Sequence, residues 1–472
     1  MNDYLITNAT IVTQNKERDV IENGAVAITD GIIQAVGSAN KIEPKYNNLE
    51  SIDATDGVVF PGLINAHTHV SDILFRGSFT PDRGLYDWLL NVKRPGSIAM
   101  NPQEHVDAAS LYCVEAINAG VTTFVENDTE IIWDNWDTIE SKLNVYDKSG
   151  IRNIYGAGFT DTQADEIFEN FAKNVQARNP DVKHVDIDCL YTETSTALSE
   201  IEKLINKYHG SAEGRQSIWP APSILVSSSK EGLQGAYELA EKYDVMTTTH
   251  VSEAEIEEES QEPSSIEYLR NIDYLGERSL LGHCVQIDAN DVRILANHEA
   301  SVAHNYLSNM RLATGFAPIV SMLDSGVTVG FGTDNAELND TINPLSDLRA
   351  AAVGHKGYHR TPGVFSAKEA FDMVTIKGAQ AIGREDDLGS IECGKQADIV
   401  IADFDYPHLT PCSDPIFSLI YNFQGFEIQT VICAGNVVMK NDNLKVFDRT
   451  TDQIMRNATE SAERIINRVG IQ

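Results

Sequence analysis

Apolar residues recur in short, nearly continuous runs at both ends of the chain. "YLITNATIVT", "GAVAITDGIIQAVG" and "SIDATDGVVFPG" fill much of residues 4–62. Runs of this length, rich in Val and Ile, predict strands. Asp30-Gly31, between two of them, predicts a hairpin turn. The texture returns in "LGSIECGKQADIVIADFD" and "QTVICAGNVVMKNDNL", with Gly435-Asn436 placed at a turn. These two ends predict one small β-sandwich domain, built from residues 1–60 and 391–450.

The middle, residues 61–390, alternates instead. Short apolar runs such as "GVTTFVEN", "DVMTTTHV", "SLLGHCV" and "GVTVGFGTD" are separated by helical stretches such as "EHVDAASLYCVEAINAG" and "KEGLQGAYELAEKY". That rhythm reads as repeated βα units. About eight units predict an α/β fold with a (β/α)8 TIM barrel; a doubly wound open sheet is the alternative. Residues 451–472 predict a docked C-terminal helix, with Ile454, Ala458, Ala462, Ile465 and Val469 near helical spacing.

Charge narrows the partners. The 472 residues carry 36 basic and 70 acidic side chains, a formal net charge of −34. Nucleic acids and anionic membranes need a basic footprint, so both are excluded as partners. The bland reading of the excess is a solvated acidic surface suited to a salty habitat. No run reaches the roughly 18–20 apolar residues of a spanning helix. "MNDYLITNATIVTQNKERDV" lacks a signal pattern, and the expected location is cytoplasmic. The six cysteines (Cys113, Cys189, Cys284, Cys393, Cys412 and Cys433) form no CxxC pair, and reduced thiols are expected.

Chemistry gathers at the ends of the middle strands. "VFPGLINAHTH" ends in His67 and His69, "VMTTTH" in His250, "SLLGH" in His283 and "VTVGFGTD" in Asp334. Side chains at i and i+2 of a strand share a face. If the strands are parallel, all five residues reach the rim where barrel enzymes keep their active sites. Imidazoles and a carboxylate so placed predict a divalent metal site, for Zn2+ or Fe2+, with a position left open for water. An HxH pair alone occurs by chance; the further groups at strand ends carry the reading.

These stretches, with "PGLINAHTHVSDILFRG", "HVSEAEIE", "GHCVQID", "VAHNYLSNMRLATGFAPI" and "GFGTDNAELND", resemble the amidohydrolase superfamily. The branch is that of the cytosine, guanine and S-adenosylhomocysteine deaminases and the triazine hydrolases. "LYDWLLNVKRPGSIAM" and "YHGSAEGRQSIWPAPS" are nearest to the triazine hydrolases. The resemblance runs along essentially the whole chain. It implies a single metal held by His67, His69, His250 and Asp334. It implies Glu253 as proton shuttle and His283 as the residue that polarises or orients the water. No lysine matches the family's metal-bridging position, so one metal is implied. Trp88, Asn127 and Asn335 match substrate-facing positions. His304 is implied at the substrate side or behind the ligands, with a structural role as the alternative. The family's habit implies a homo-oligomer.

The implied activity is a metal-dependent aminohydrolase. Hydroxide generated at the metal attacks the ring carbon of an amino-substituted N-heterocycle, and Glu253 passes a proton to the ring. The alternative is an s-triazine chlorohydrolase or alkylaminohydrolase. Two departures bear on it. Leu338, preceded by Glu337, stands where the triazine enzymes carry serine, and Asp72 where they carry glutamine. The added acids are expected to pair with an amino or guanidinium-like edge of the ring. A cyclic-amide hydrolase, which usually needs two metals, and a non-catalytic scaffold are the remaining rivals.

Overall fold

A computed structural model describes residues 3–77, 83–162, 188–259, 263–339, 341–441 and 443–469. Its strands begin with β1 (Tyr4–Val12), β2 (Val20–Thr29), β3 (Ile32–Ser38), β4 (Glu50–Asp53) and β5 (Gly57–Pro61). There follow β6 (Leu63–His69), β7 (Val121–Asp128), β8 (Arg152–Phe159), β9 (Gln216–Pro222), β10 (Thr247–Val251), β11 (Ser279–His283), β12 (Ser301–His304), β13 (Thr328–Phe331) and the short β14 (Asp334–Asn335). The last are β15 (Ile399–Asp403), β16 (Ile428–Cys433), β17 (Asn436–Lys440) and β18 (Asn443–Leu444).

Both chain ends contribute to one sheet. Its order is β18-β17-β16-β15-β5-β1-β2-β3, with β4 beside β1. The seam is the antiparallel β5–β15 pair, in which Val59 faces Ile401. Asp30 and Gly31 have φ of +52° and +77°, the left-handed pair that a two-residue hairpin turn requires. The second turn is Ala434–Gly435 (φ +49° and +74°), one residue earlier than expected, because Asn436 already pairs with Cys433. A Cβ on Gly435 would lie 2.4 Å from the Gly31 backbone, so the two turns pack glycine against glycine.

The middle of the chain forms parallel strands in chain order. β6-β7-β8-β9 and β10-β11-β12-β13 are two hydrogen-bonded runs, and β14 adds to the outer side of β6. β9 packs beside β10 and β13 beside β6, which brings eight parallel strands into a (β/α)8 ring. β6, β7 and β8 are buried almost throughout, as parallel strands covered on both faces must be. Phe124, Tyr146, Tyr155 and Phe331 anchor the main core.

The helix Pro102–Asn118 starts from a capping box in which Asn101 and Glu104 each accept the other's backbone N–H, two otherwise orphaned donors. The helix Thr451–Val469 docks on it. Its buried face is Ile454, Ala458, Ser461 and Ile465. Ser461, not Ala462, faces inward because its hydroxyl donates to Asp107 at 2.8 Å. Burying Ile454 and Ile465 contributes roughly 1.5–3 kcal/mol each, more than the partly exposed Arg468–Glu104 pair adds.

Candidate active site

All the strands that carry the singled-out residues run the same way, so their C-terminal ends meet at one rim. His67 and His69 share one face of β6, their ring centroids 5.2 Å apart. His250 lies near the end of β10, and His283 ends β11. Asp334 is brought in by pairing: β14 runs parallel to β6, with Asp334 opposite Thr68. Gly332 permits the approach, since a Cβ there would lie 2.6 Å from the His67 Cβ. His283 and Asp334 adopt φ of +70° and +56°, a left-handed backbone uncommon outside glycine. Such strain gathers where a site must hold side chains in place.

Four donor atoms converge. The Nε2 atoms of His69 and His250 are 3.1 Å apart. Asp334 Oδ1 lies 3.3 Å from His69 Nε2 and 3.5 Å from His67 Nε2. The outer nitrogens explain the orientation. His69 Nδ1 donates to the Asn127 carbonyl and His250 Nδ1 to the Ser223 carbonyl, both at 2.6 Å. With those protons placed, each Nε2 presents a lone pair to the centre. His67 Nδ1 lies 3.0 Å from the Asn127 amide. His283 Nδ1 donates to Asn309 Oδ1 at 2.9 Å.

The donor set fits a divalent cation. His67 Nε2, His283 Nε2 and Asp334 Oδ1 are buried and have no hydrogen-bond partner among the described residues. Lone pairs this close repel unless a cation lies between them. Metal–nitrogen bonds of about 2.0–2.1 Å in a tetrahedron set ligand atoms roughly 3.3 Å apart, which is the spacing seen. Burial lowers the pKa of His67, His69, His250 and His283, so the imidazoles are neutral. Burial works to raise Asp334, but the imidazoles of His67, His283 and His69 around it hold it well below the usual carboxylate range.

Glu253 stands beside this centre, with Oε1 3.4 Å from His283 Nδ1. Burial, then the charge of Asp334, raises its pKa well above the ordinary value. A cavity opens here, walled by Trp88, Lys93, Glu253, His283, Asp334 and Asn335. A larger groove, lined by Trp219, Met246, Arg278 and Arg384, lies at the opposite ends of the strands.

The remaining singled-out residues divide. Trp88 and Asn335 wall the cavity. Asn127 does not line it; the amide and carbonyl brace His67 and His69 instead. His304 also stands apart from the cavity lining. Its Nε2 is 3.2 Å from that of His355, on the helix Pro344–His359. Asp72 lies behind the wall, where Asn335 and Ser97 donate to it, so it is not the ring-pairing acid that was expected. Leu338 packs with Leu85, Trp88 and Leu89 and backs the Trp88 wall. Asn309, Lys93 and the Ser223 carbonyl were not singled out from the sequence. Asn309 and Lys93 sit inside quoted motifs, but a backbone carbonyl has no sequence signal.

A barrel rim holding four neutral imidazoles, a carboxylate and a protonatable glutamate defines a metal-dependent hydrolase. Residues 58–438 match the amidohydrolase family model, and the chain belongs to that family. It is 30% identical to the 5'-deoxyadenosine deaminase of Methanosarcina acetivorans, over 99% of each chain. It is 29% identical to the S-triazine hydrolase of Gordonia rubripertincta, over 100% of this chain and 98% of the other. The fold matches an adenosine deaminase from Xanthomonas campestris with bound zinc at a TM-score of 0.85, 24% identity and 99% coverage of each chain.

Proposed function

We propose that the protein is a hydrolytic deaminase of an amino-substituted N-heterocycle, working with one divalent ion, Zn2+ or Fe2+. The observation that carries this is Glu253 placed 3.4 Å from His283 beside the convergent lone pairs. Relatives named as a 5'-deoxyadenosine deaminase and an S-triazine hydrolase support the reading. In it, His67, His69, His250 and Asp334 hold the metal. The bound ion supplies hydroxide near neutral pH by lowering the pKa of water. Glu253 accepts a proton and delivers it to a ring nitrogen, so the carbon can become tetrahedral. His283, fixed by Asn309, orients the attacking oxygen through its free Nε2. Asp334 Oδ2, 4.0 Å from His283 Nε2, manages the second proton as ammonia leaves. Asn335 and Trp88 shape the substrate wall.

The test is ammonia release by metal-reconstituted protein from aminopurines, aminopyrimidines, pterins and melamine, with chloride followed on chlorotriazines. Glu253→Gln should reduce turnover by about 10²–10⁴-fold while retaining metal and fold. Silence on every ring sinks the proposal; chloride without ammonia replaces it with a chlorohydrolase.

The same proposal covers organisation. We read residues 1–60 and 391–450 as one β-sandwich domain, 61–390 as the barrel and 451–472 as the closing helix. A separate apolar cluster around Ile6, Val26, Ile399 and Ile432 supports the first. Exposed Val353, Tyr358 and Phe417 lie on two helices that pack together and support a homo-oligomer, to be checked by light scattering. No helix among the described residues is long and apolar enough to cross a membrane. Six free cysteines support a reducing, cytoplasmic setting.

A further inference from the structure

We propose that Lys93 reads an oxygen on the substrate, so that the enzyme selects amino-substituted N-heterocycles that also carry an oxo or carboxylate oxygen away from the reacting carbon. This rests on the aminohydrolase reading above and names its substrate class.

Lys93 closes a π-helical turn, Leu89–Lys93, set between the helices Leu85–Trp88 and Arg94–Ala99. Such turns are rare and recur at functional sites. The side chain is only 3% exposed and lines the same cavity as Glu253, His283 and Asp334. An ammonium taken this far out of water loses hydration worth several kcal/mol and needs partners. The carboxylates nearest to it are Asp72 Oδ2 at 3.5 Å and Glu130 Oε2 at 3.8 Å. A charge-assisted N–H···O bond is shorter, about 2.7–2.9 Å. The two acids therefore hold the charge in place without seating its protons. Asp72 is also engaged by Asn335 and Ser97. An ammonium has three protons to donate, and an acceptor in the cavity can take them.

Trp88 points the same way. Its ring centroid lies 5.6 Å from Lys93 Nζ. Its indole N–H is buried and has no partner among the described residues. A ring resting on this wall meets two donors and needs acceptors along that edge. An amino group there would set donor against donor. The acids expected to receive amino groups are elsewhere: Asp72 is behind the wall, and neither it nor Glu337 lines the cavity.

The experiment uses zinc-loaded protein and matched pairs that differ by oxo against amino: isocytosine with 2,4-diaminopyrimidine, guanine with 2,6-diaminopurine, and the equivalent pair for any other ring that releases ammonia. The wild type should prefer the oxo member by about tenfold or more in kcat/KM, the scale of one hydrogen bond to a charged group. Lys93→Met should bring the ratio toward one, mainly by raising KM for the oxo member; Lys93→Arg should keep the preference. If Lys93→Met does not fold, the wild-type ratio and Lys93→Arg decide. Ammonia from both members at similar rates in wild type, or a ratio unchanged in Lys93→Met, overturns the role of Lys93 and leaves the deaminase standing. No ammonia from any pair overturns the deaminase itself.

Discussion

The Nε2 atoms of His69 and His250 lie 3.1 Å apart, while each ring's Nδ1–H is donated to a backbone carbonyl. Two lone pairs so close are stable only around a shared cation. His69→Ala and His250→Ala should each lower bound metal from one equivalent to about a tenth or less after dialysis, because each removes one of the four convergent lone pairs and leaves the other three no longer set as a tetrahedron around one point. Elemental analysis of dialysed protein checks this; a full equivalent retained in either variant refutes it.

Asn127 touches two of the convergent histidines by different atoms. Its amide meets His67 Nδ1 and its backbone carbonyl receives His69. Asn127→Ala removes only the first contact. Metal affinity should fall about tenfold, the low end of the effect of such supporting residues. Competition with a chelator measures it, and an unchanged affinity would show that His67 is oriented by packing alone.

Glu257 gives a pH signature. Its carboxylate receives the backbone N–H groups of Glu253 and Ala254, at 3.2 and 3.1 Å. Burial, then the charge of Glu253, pushes its pKa from 4.5 up to about 8. The folded chain thus retains a proton that the unfolded chain releases. Stability must fall as pH rises through that window. Glu257→Gln cannot ionise, so its Tm relative to wild type should climb between pH 5 and pH 8. A constant difference across those values is the contrary result.

Gly332 is a tight point of the rim. A Cβ would lie 2.4 Å from Asn305 Oδ1 and 2.6 Å from the His67 Cβ. Gly332→Ala should cost about 1–3 kcal/mol, as overpacking in a full core does. It should also weaken metal binding by displacing His67. Urea unfolding and metal content read the two effects separately.

Local periodicity made much of this visible. His67 and His69 two apart on an apolar run, and His250, His283 and Asp334 after similar runs, needed only the strand period to be placed together. Asp30-Gly31 announced its hairpin by backbone preference alone. Other features depend on contacts between distant segments. Asn127 and His69 meet through a carbonyl that any residue could supply. The Ala434–Gly435 turn shifted by one residue because register is set by partners across the sheet. His304 follows the same strand-end pattern as the ligands yet pairs with His355, and only the packed helix distinguishes the two cases. Lys93 sits in an amphipathic stretch where a charge ordinarily faces water; the π-helical turn that buries it leaves no mark in composition.

The seam between Val59 and Ile401 has a consequence for how the chain is made. β5 runs into β6 through a single glycine, Gly62, so the strand bearing the first two histidines is tethered to a strand that pairs with β1 early but with β15 only after all the barrel strands have been made. Non-local pairings of this kind slow folding, since the loop entropy is lost before the contact forms. The nascent chain must hold one unpaired, apolar β5 edge until Ile399–Asp403 has been synthesised. Completion of the terminal sheet is thereby placed after synthesis of the barrel strands, and the waiting edge is where chaperones and aggregation compete for the molecule.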